Sequence, residues 1–300
     1  AGVQTRRPIE VVAWTNEEGS RFSPGAIGSD FFAGHSTLES VLDDADAEGT
    51  VLRDALAEAL AATGAPFRAQ GSVTPHAYIE THIEQGPVLE SKDLQIGVVG
   101  SIQGICHLDV VVTGEEAHAG TTPRRSRKDA LSVAIGIIAA LQEMTADEDD
   151  TIRFTVGRCD VSPGSPNTVP GRVHFTIDLR HPDVAVIQSL QVQIRKIAAE
   201  KAAPCSVEVL DNLYVAPTNF EPTVIGAIRD SARALGYEYL DMPSGAGHDA
   251  MHLNPICSAG MIFVPCLNGV SHNEAESAKP EDLAAGARIL ADTLAALANE

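Results

Sequence analysis

The sequence lacks the features that mark membrane-spanning, secreted or base-stacking proteins. No apolar run approaches the roughly 20 residues that cross a bilayer, and no signal-peptide pattern is present. Aromatic residues make up only 4% of the 300 residues, which argues against a carbohydrate groove or a base-stacking platform. We therefore expect no membrane partner and no partner bound by stacking.

Positive charge and paired cysteines are also scarce. There are 21 Lys and Arg residues against 41 Asp and Glu, and the net charge at pH 7 is −20. Such a chain repels nucleic acid and anionic membranes. The five cysteines are scattered, without a CxxC pair, which argues against a disulfide framework or a zinc knuckle. A cytoplasmic protein with reduced thiols is expected.

The order of predicted elements indicates two α/β domains, one inserted in the other. The length of 300 residues favours two domains. Residues 100–215 show strand and helix patterns in the order β-α-β-β-α-β, which is typical of a ferredoxin-like module. Residues 1–99 and 216–300 carry further strand and helix patterns, which we predict to form a second, discontinuous domain.

Two local predictions concern the N-terminal part. Residues 9–14, IEVVAW, are short, continuous and β-branched, which predicts a buried strand. Residues 37–62 have helical spacing with acidic faces, which predicts a helix with a break at Gly49.

Two adjacent carboxylates, Glu17 and Glu18, follow the predicted strand at residues 9–14. Adjacent carboxylates repel each other, and a bound dication reverses that local electrostatics. One carboxylate can bind the metal while its neighbour takes a proton from water. The alternative is a pair of solvated glutamates at the end of a strand.

Three histidines are candidate ligands, and the polar turn of His272 is a context in which metal ligands are often presented. His82 lies in an alternating strand, His272 in a polar turn between a strand and a helix, and His118 in a loop of small residues. A small-residue loop can bring both a side chain and backbone N–H groups close to a ligand. A histidine in an alternating strand is more often packed or exposed than ligating, which is the alternative for His82. The other two have the alternative of surface histidines.

Further polar residues could bind an anion. Asn167 lies in a Pro/Gly-rich turn, and Arg180 lies at a strand end, where a guanidinium suits bidentate binding of a carboxylate. A surface salt bridge is the alternative for Arg180. The stretch SGAGHDA, with His248 and Asp249, is either an anion-binding loop or a tight turn. No GxSxG, GxxxxGK[ST] or strand-linked GxGxxG motif is present.

Six stretches resemble the sequence motifs of one family, both in their residues and in their order along the chain. They are NEEGSRF, HIEQGPVLE, HAGTTP…RKDAL, PNTVPGRVHFTIDLRHPD, SGAGHDA and MIFVP…NGVSHNEAE. They resemble the amidase branch of the M20 metallopeptidase-like enzymes, and together they cover essentially the whole chain. That branch contains N-carbamoyl-L-amino acid hydrolases, β-ureidopropionases and allantoate amidohydrolases.

The resemblance implies a metal-binding α/β catalytic domain and an inserted lid domain through which the protein forms a homodimer. By resemblance, Glu17 is the general base, and Glu18, His82 and His272 are ligands of a two-metal site holding zinc, manganese or cobalt. His118 matches the lid histidine that reaches across the dimer to stabilise a developing oxyanion. The residues that match substrate-binding positions are Gln85, Asn167, Arg180 and Gly247.

The sequence departs from the family pattern before the glutamate pair. Family members carry a further N-terminal portion with a His ligand and an Asp that bridges the two metals, whereas residues 1–16 contain neither His nor Asp. A catalytic domain incomplete at its N-terminus is therefore expected, with three of the family's ligands. Such a chain would be a truncated hydrolase or a non-catalytic dimer module that binds a small carboxylate. A third alternative is that another protein chain supplies the missing metal ligands.

The resemblance implies a small substrate that carries a ureido or carbamoyl group beside a carboxylate. We rank an N-carbamoyl-L-amino acid first, allantoate second and N-carbamoyl-β-alanine third. Peptidases of the wider superfamily tend to have a carboxylate where this sequence has His82, so an aminopeptidase activity is disfavoured.

Overall fold

The computed structural model describes residues 4–64 and 73–300 and divides the chain into two compact units. The discontinuous unit comprises Ala1–Ile102 and Asn219–Glu300, and the inserted unit comprises Gln103–Thr218. Residues 1–3 and 65–72 of the predicted discontinuous domain lie outside the described residues.

The secondary structure is mixed α and β. The helices are α1 Ile27–Ala33, α2 Leu52–Thr63, α3 Val88–Ser91, α4 Ala130–Thr145, α5 Val184–Lys201, α6 Pro222–Ala234, α7 Asp249–Leu253 and α8 Pro280–Leu297. The strands are β1 Ala77–Ile83, β2 Ile96–Ile102, β3 Gly104–Thr113, β4 Ala117–His118, β5 Arg153–Thr155, β6 Cys159–Ser162, β7 Thr168–Val169, β8 Arg172–His181, β9 Ser206–Val215, β10 Thr218–Asn219, β11 Tyr239–Ser244 and β12 Ser258–Val264. Among the described helices, none is long and apolar enough to cross a membrane.

The discontinuous unit is built on a mixed sheet. Strands β1, β12, β2 and β10 are neighbours in that order, and β11 also pairs with β2. Strand β12 runs parallel to β1 and antiparallel to β2. Its side chains are buried along almost its whole length. Its sequence is accordingly a nearly continuous apolar run, which is typical of strands covered on both faces. Strand β2 pairs with β11 through Ile102, which places residues 100–102 in this unit rather than in the inserted one.

Helices α6 and α8 cover the sheet of the discontinuous unit. Both begin with proline, at Pro222 and Pro280, where the missing N–H is not needed and the fixed φ suits a helix. They pack against each other and against β12. Helix α8 approaches closely because position 286 is glycine: a Cβ there would lie 2.6 Å from Cγ1 of Val264.

The inserted unit is an antiparallel sheet covered by two helices. Its strands are neighbours in the order β5-β8-β3-β9, and β6 also pairs with β8. Burial alternates residue by residue along β3 and β8, so each strand buries one face against α4 and α5. Asp129 and Asp183 directly precede these helices, and their carboxylates accept backbone N–H groups of the first turn, which caps the helices. The order is β-α-β-β-α-β, with the second strand in two pieces.

The mixed α/β fold class is confirmed, but the N-terminal predictions were partly wrong. Residues 9–14 form no strand, and Val11 is 99% exposed. β-Branched composition favours an extended chain, but a strand also needs a sheet edge to pair with. In residues 37–62 only α2 is an α-helix; a short 3-10 turn, Leu38–Ser40, and a turn at Gly49 precede it.

Candidate functional site

A closed loop presents Glu17 and Glu18. Asn16 adopts a left-handed conformation, and its side-chain amide donates to the carbonyls of Phe22 (2.7 Å) and Pro24 (2.9 Å). Its side-chain oxygen accepts the N–H of Phe22 at 3.2 Å. Asparagine tolerates this conformation and mimics a turn with its side chain, so the loop is fixed just before the two carboxylates.

His272 lies close to Glu18. Its Nε2 is 4.0 Å from Oε2 of Glu18, and its backbone has a φ of 53°. Its N–H donates to Oε2 of Glu276 at 3.1 Å. The polar turn predicted to carry a ligand therefore brings His272 next to one predicted ligand, although the two residues lie near opposite ends of the chain.

His82 is oriented by a backbone carbonyl. It lies in β1, and its Nδ1 is 2.8 Å from the carbonyl oxygen of Ile83. A carbonyl oxygen only accepts, so Nδ1 carries a hydrogen, and in the neutral ring the lone pair is on Nε2. Metal-binding histidines are commonly held in this way through their other ring nitrogen.

A second histidine, His248, supports the ring of His82. The two ring centroids are 4.7 Å apart in an edge contact. His248 is buried, its Nε2 is 2.8 Å from Oγ of Ser244, and its Nδ1 is 3.7 Å from Oε1 of Glu80. Burial, and then the charge of His82, lowers the pKa of His248 to about 3, so this ring is neutral at pH 7.

Two further carboxylates lie in the same region: Asp249 is buried, and Glu80 is partly buried. Glu80 accepts the N–H of Ala250 at 2.8 Å, and Asp249 accepts the hydroxyl of Ser29. Burial, and then the charge of Asp249, raises the pKa of Glu80 to about 7. Sequence reasoning missed Glu80. The available signal was its spacing, because residues two apart in a strand share a face, and His82 follows two positions later.

The carboxyl of Glu17 is electrostatically coupled to this region. Burial raises its pKa above the ordinary value, and the charges of Glu18 and Asp249 add to the rise, whereas His82 and His272 oppose it. A raised carboxyl pKa moves towards the operating pH of a general base.

The donor types fit a divalent ion, but the geometry is incomplete. A tetrahedral zinc holds its nitrogen and oxygen ligands at about 2.0–2.2 Å, which puts two ligand atoms about 3.4 Å apart. The 4.0 Å between Glu18 and His272 is somewhat wider than that spacing. The lone pair on Nε2 of His82 is a suitable third donor. Within residues 4–64 and 73–300, however, no group of three or more His, Cys, Asp or Glu side chains is arranged to hold a metal. The predicted two-metal site stays a prediction.

Two of the predicted substrate-binding residues lie in the discontinuous unit. Gln85 has a φ of 58°, and its Nε2 donates to Oγ of Ser271 at 2.9 Å, which ties it to the turn of His272. Gly247 is exposed in the loop before α7 and directly precedes His248.

In the inserted unit, the structure brings His118 and Asn167 together. Strands β4 and β7 pair His118 with Thr168, and the N–H of Ala119 donates to the carbonyl of Asn167 at 2.9 Å. Nδ1 of His118 accepts the N–H groups of Gly120 and Thr121, each at 3.1 Å. The small-residue loop therefore folds back onto the imidazole.

Arg180 forms a bidentate ion pair. Its Nε and Nη2 donate to the two carboxylate oxygens of Asp178 at 2.9 and 2.8 Å, and Nε2 of His107 lies 3.3 Å from the same carboxylate. Burial opposes ionisation of Asp178, but the hydrogen bond and charge of Arg180 lower its pKa below the ordinary range. The salt bridge considered from the sequence is present, and the role of Arg180 in substrate binding stays a prediction.

Known proteins match the chain over nearly its whole length. The profile of the peptidase family M20/M25/M40 matches residues 1–296. An N-carbamoyl-L-amino-acid amidohydrolase of Rhizobium meliloti is 39% identical over 293 residues, which cover 96% of this chain and 69% of the relative. An allantoate amidohydrolase of Escherichia coli K12 is 36% identical over 297 residues, 97% of this chain and 71% of the relative. The crystal structure of an amidase of the hydantoinase/carbamoylase family from Burkholderia multivorans matches with a TM-score of 0.91 and 41% identity, over 99% of this chain and 72% of that one.

Proposed function

Because the chain belongs to the peptidase family M20/M25/M40, whose relatives above are amidohydrolases, we propose that this enzyme hydrolyses the ureido C–N bond of an N-carbamoyl-L-amino acid. Water enters, and the amino acid, carbon dioxide and ammonia leave. The observation that carries the proposal is the pair Glu17–Glu18, with Nε2 of His272 4.0 Å from Glu18. A proton acceptor, Glu17, is thereby next to two candidate metal ligands, Glu18 and His272.

In this proposal Glu18, His82 and His272 hold a divalent ion, which supplies Lewis acidity when bound. Zinc, manganese and cobalt suit these nitrogen and oxygen donors. Glu17 takes the proton of the attacking water and delivers it to the leaving nitrogen. Its raised pKa supports this role, because a stronger base accepts the proton more readily.

We assign the oxyanion contact to Nε2–H of His118, presented by the partner subunit of a homodimer that forms through the inserted unit. Nδ1 of His118 already accepts two backbone N–H groups, so the ring's hydrogen is on Nε2. A donor placed where negative charge develops stabilises the transition state.

The substrate's carboxylate is the group that we assign to Arg180 and Asn167, with Gln85 and Gly247 as further contacts. The guanidinium of Arg180 is held by Asp178 at two points. A fixed guanidinium loses less freedom when it binds a second carboxylate.

Allantoate is the second candidate. It also carries a carboxylate beside a ureido group, and the E. coli relative named for it is 36% identical, against 39% for the N-carbamoyl-L-amino-acid amidohydrolase. The same side chains would serve either substrate, so the two differ only in the group that the site must enclose.

Ammonia release tests the assignment. The protein is loaded with manganese or zinc and assayed with an N-carbamoyl-L-amino acid, its D-enantiomer, allantoate and N-carbamoyl-β-alanine. We expect the highest kcat/KM for the N-carbamoyl-L-amino acid. The matched control is a Glu17→Gln variant, which lacks the proposed general base and should release far less ammonia. A higher kcat/KM for allantoate would move the assignment to the second candidate, and no ammonia from any of the four would contradict the proposed function.

A further inference from the structure

The loop that follows His118 fixes which ring nitrogen carries the hydrogen. The N–H groups of Gly120 and Thr121 both lie 3.1 Å from Nδ1. A ring nitrogen that accepts two hydrogen bonds has no hydrogen of its own. The neutral ring is therefore held with its hydrogen on Nε2.

Arg127 holds the same loop from its other side. Its Nη2 donates to the carbonyl of Ala119 at 2.6 Å and its Nε to the carbonyl of Thr122 at 2.9 Å. The two donors lie on one edge of the rigid guanidinium, a geometry that the single ammonium of lysine does not reproduce.

The contact with Ala119 acts directly on the imidazole partner. The carbonyl of Ala119 and the N–H of Gly120 belong to one planar trans peptide, so they point in opposite directions. When Arg127 holds the carbonyl on one side, the N–H is directed to the other side, where Nδ1 of His118 lies. The ring and the peptide are closely packed: a Cβ at Gly120 would lie 3.3 Å from Cε1 of His118.

Other contacts keep the loop folded without Arg127. The N–H of Ala119 donates to the carbonyl of Asn167 at 2.9 Å, and the N–H of Thr122 donates to the carbonyl of His118 at 3.1 Å. Neither bond fixes the tilt of the peptide that joins Ala119 to Gly120. The contribution specific to Arg127 is thus the orientation of that peptide.

We infer that Arg127 is a positioning residue that keeps His118 in the tautomer with hydrogen on Nε2, ready to donate to an oxyanion. The inference rests on the proposed function of His118 as the oxyanion donor. Without Arg127 the peptide between Ala119 and Gly120 turns more freely, and Nδ1 keeps the N–H of Thr121 as its one firmly placed donor. The ring then samples the other tautomer more often, and the fraction of protein with a donor at Nε2 falls.

The test compares Arg127→Ala and Arg127→Lys with two matched controls, Arg124→Ala and Arg125→Ala. The controls remove the same charge from exposed positions in the adjacent turn. Histidine-selective 15N NMR of the metal-loaded chain reports the tautomer, and a His118→Gln variant assigns the His118 signal. Steady-state assays with the N-carbamoyl-L-amino acid report kcat and KM.

We expect wild type and both controls to show His118 with hydrogen on Nε2 and unchanged kcat. Arg127→Ala is expected to show a mixture of tautomers and a kcat lower by about ten- to a hundredfold, with a smaller change in KM. Arg127→Lys should recover part of both signals. Circular dichroism shows whether each variant is folded. If Arg127→Ala is misfolded, the tautomer and kcat of Arg127→Lys are compared with those of wild type instead.

An unchanged His118 tautomer in a folded Arg127 variant would overturn the inference, whatever the activity. The NMR readout does not need turnover. If wild type hydrolyses none of the substrates but the tautomer still depends on Arg127, the proposed function fails and the positioning by Arg127 stands.

Discussion

Nε2 of His272 lies 4.0 Å from Oε2 of Glu18, which joins the loop after residue 14 to the turn before α8. Both side chains are largely exposed, at 75% and 63%. An ion pair between exposed groups contributes at most about 1 kcal/mol to stability. Such a contact adds little to the stability of the fold, which agrees with our proposal that the two side chains are donors for a divalent ion.

Replacement of Glu18 should weaken metal binding. We expect Glu18→Gln to raise the dissociation constant for manganese or zinc by more than about tenfold, because a charged oxygen donor is lost. Mutation of residues that only hydrogen-bond to a metal ligand already lowers metal affinity by about tenfold or more. Isothermal titration calorimetry measures the constant. Glu274→Gln is the control, since this exposed glutamate lies two residues from His272. Equal affinities in the two variants would remove Glu18 from the ligand set.

Arg180 should act mainly on substrate binding. Hydrogen bonds to charged groups contribute about 1.5–3 kcal/mol, so Arg180→Lys should raise KM for an N-carbamoyl-L-amino acid by about tenfold or more. The value of kcat should change less. The control is Arg158→Lys, which alters an exposed arginine paired with Asp160. A normal KM in Arg180→Lys would leave Arg180 as a structural partner of Asp178.

The carboxylate of Asp109 should make stability depend on pH. The hydrogen bond from His174, at 2.6 Å, and then the one from Asn212 lower the pKa of Asp109 below its ordinary value. A lowered folded-state pKa means that the stabilisation is present above the unfolded-state pKa of about 3.9 and is lost as the pH falls through the folded-state value.

Denaturant unfolding of wild type and Asp109→Asn checks this sign. The difference in unfolding free energy should be largest near pH 6 and shrink below about pH 4. Asp149→Asn, at an exposed loop position, should show no such difference. A constant difference between wild type and Asp109→Asn over this range would contradict the account.

The core of the inserted unit depends on Phe175. Its side chain is fully buried among residues of α4, α5 and the sheet, so Phe175→Ala should lower the free energy of unfolding by about 3–5 kcal/mol. Val192→Ala, at a position that is 68% exposed, should change it by less than about 0.5 kcal/mol. Equal effects would mean that the unit is not packed as described.

Strongly periodic elements could be predicted from the sequence. The alternation in β3 and β8 and the helical spacing of α4 and α5 carry a local signal, and the structure has these elements in the predicted order. Pro280 carries a signal of the same kind, since α8 begins at this proline. The family that the six motifs resemble is confirmed by the match over residues 1–296.

Elements that depend on a partner were not predictable. Residues 9–14 have strand composition, but local composition does not reveal whether a sheet edge is available to pair with them. Strand β11 was missed because its sequence, YLDMPS, contains Asp and Pro, which are uncommon in strands. It is a strand because it pairs with β2.

The candidate site divides in the same way. Local sequence context and the family motifs were enough to propose a general base, Glu17, and two metal ligands, Glu18 and His272. The support of His82 by His248, and the hold of Arg127 on the loop after His118, come from contacts that only the folded chain brings together. Sequence could name the donors but not the groups that orient them.

The most direct test of the central claim is the rate of ammonia release from an N-carbamoyl-L-amino acid by metal-loaded wild type and Glu17→Gln at equal metal content. The account predicts measurable release by wild type and a rate at least about a hundredfold lower in the variant. Equal rates in the two proteins, or no release by wild type, would contradict the assignment of Glu17 as the general base of a carbamoyl hydrolase.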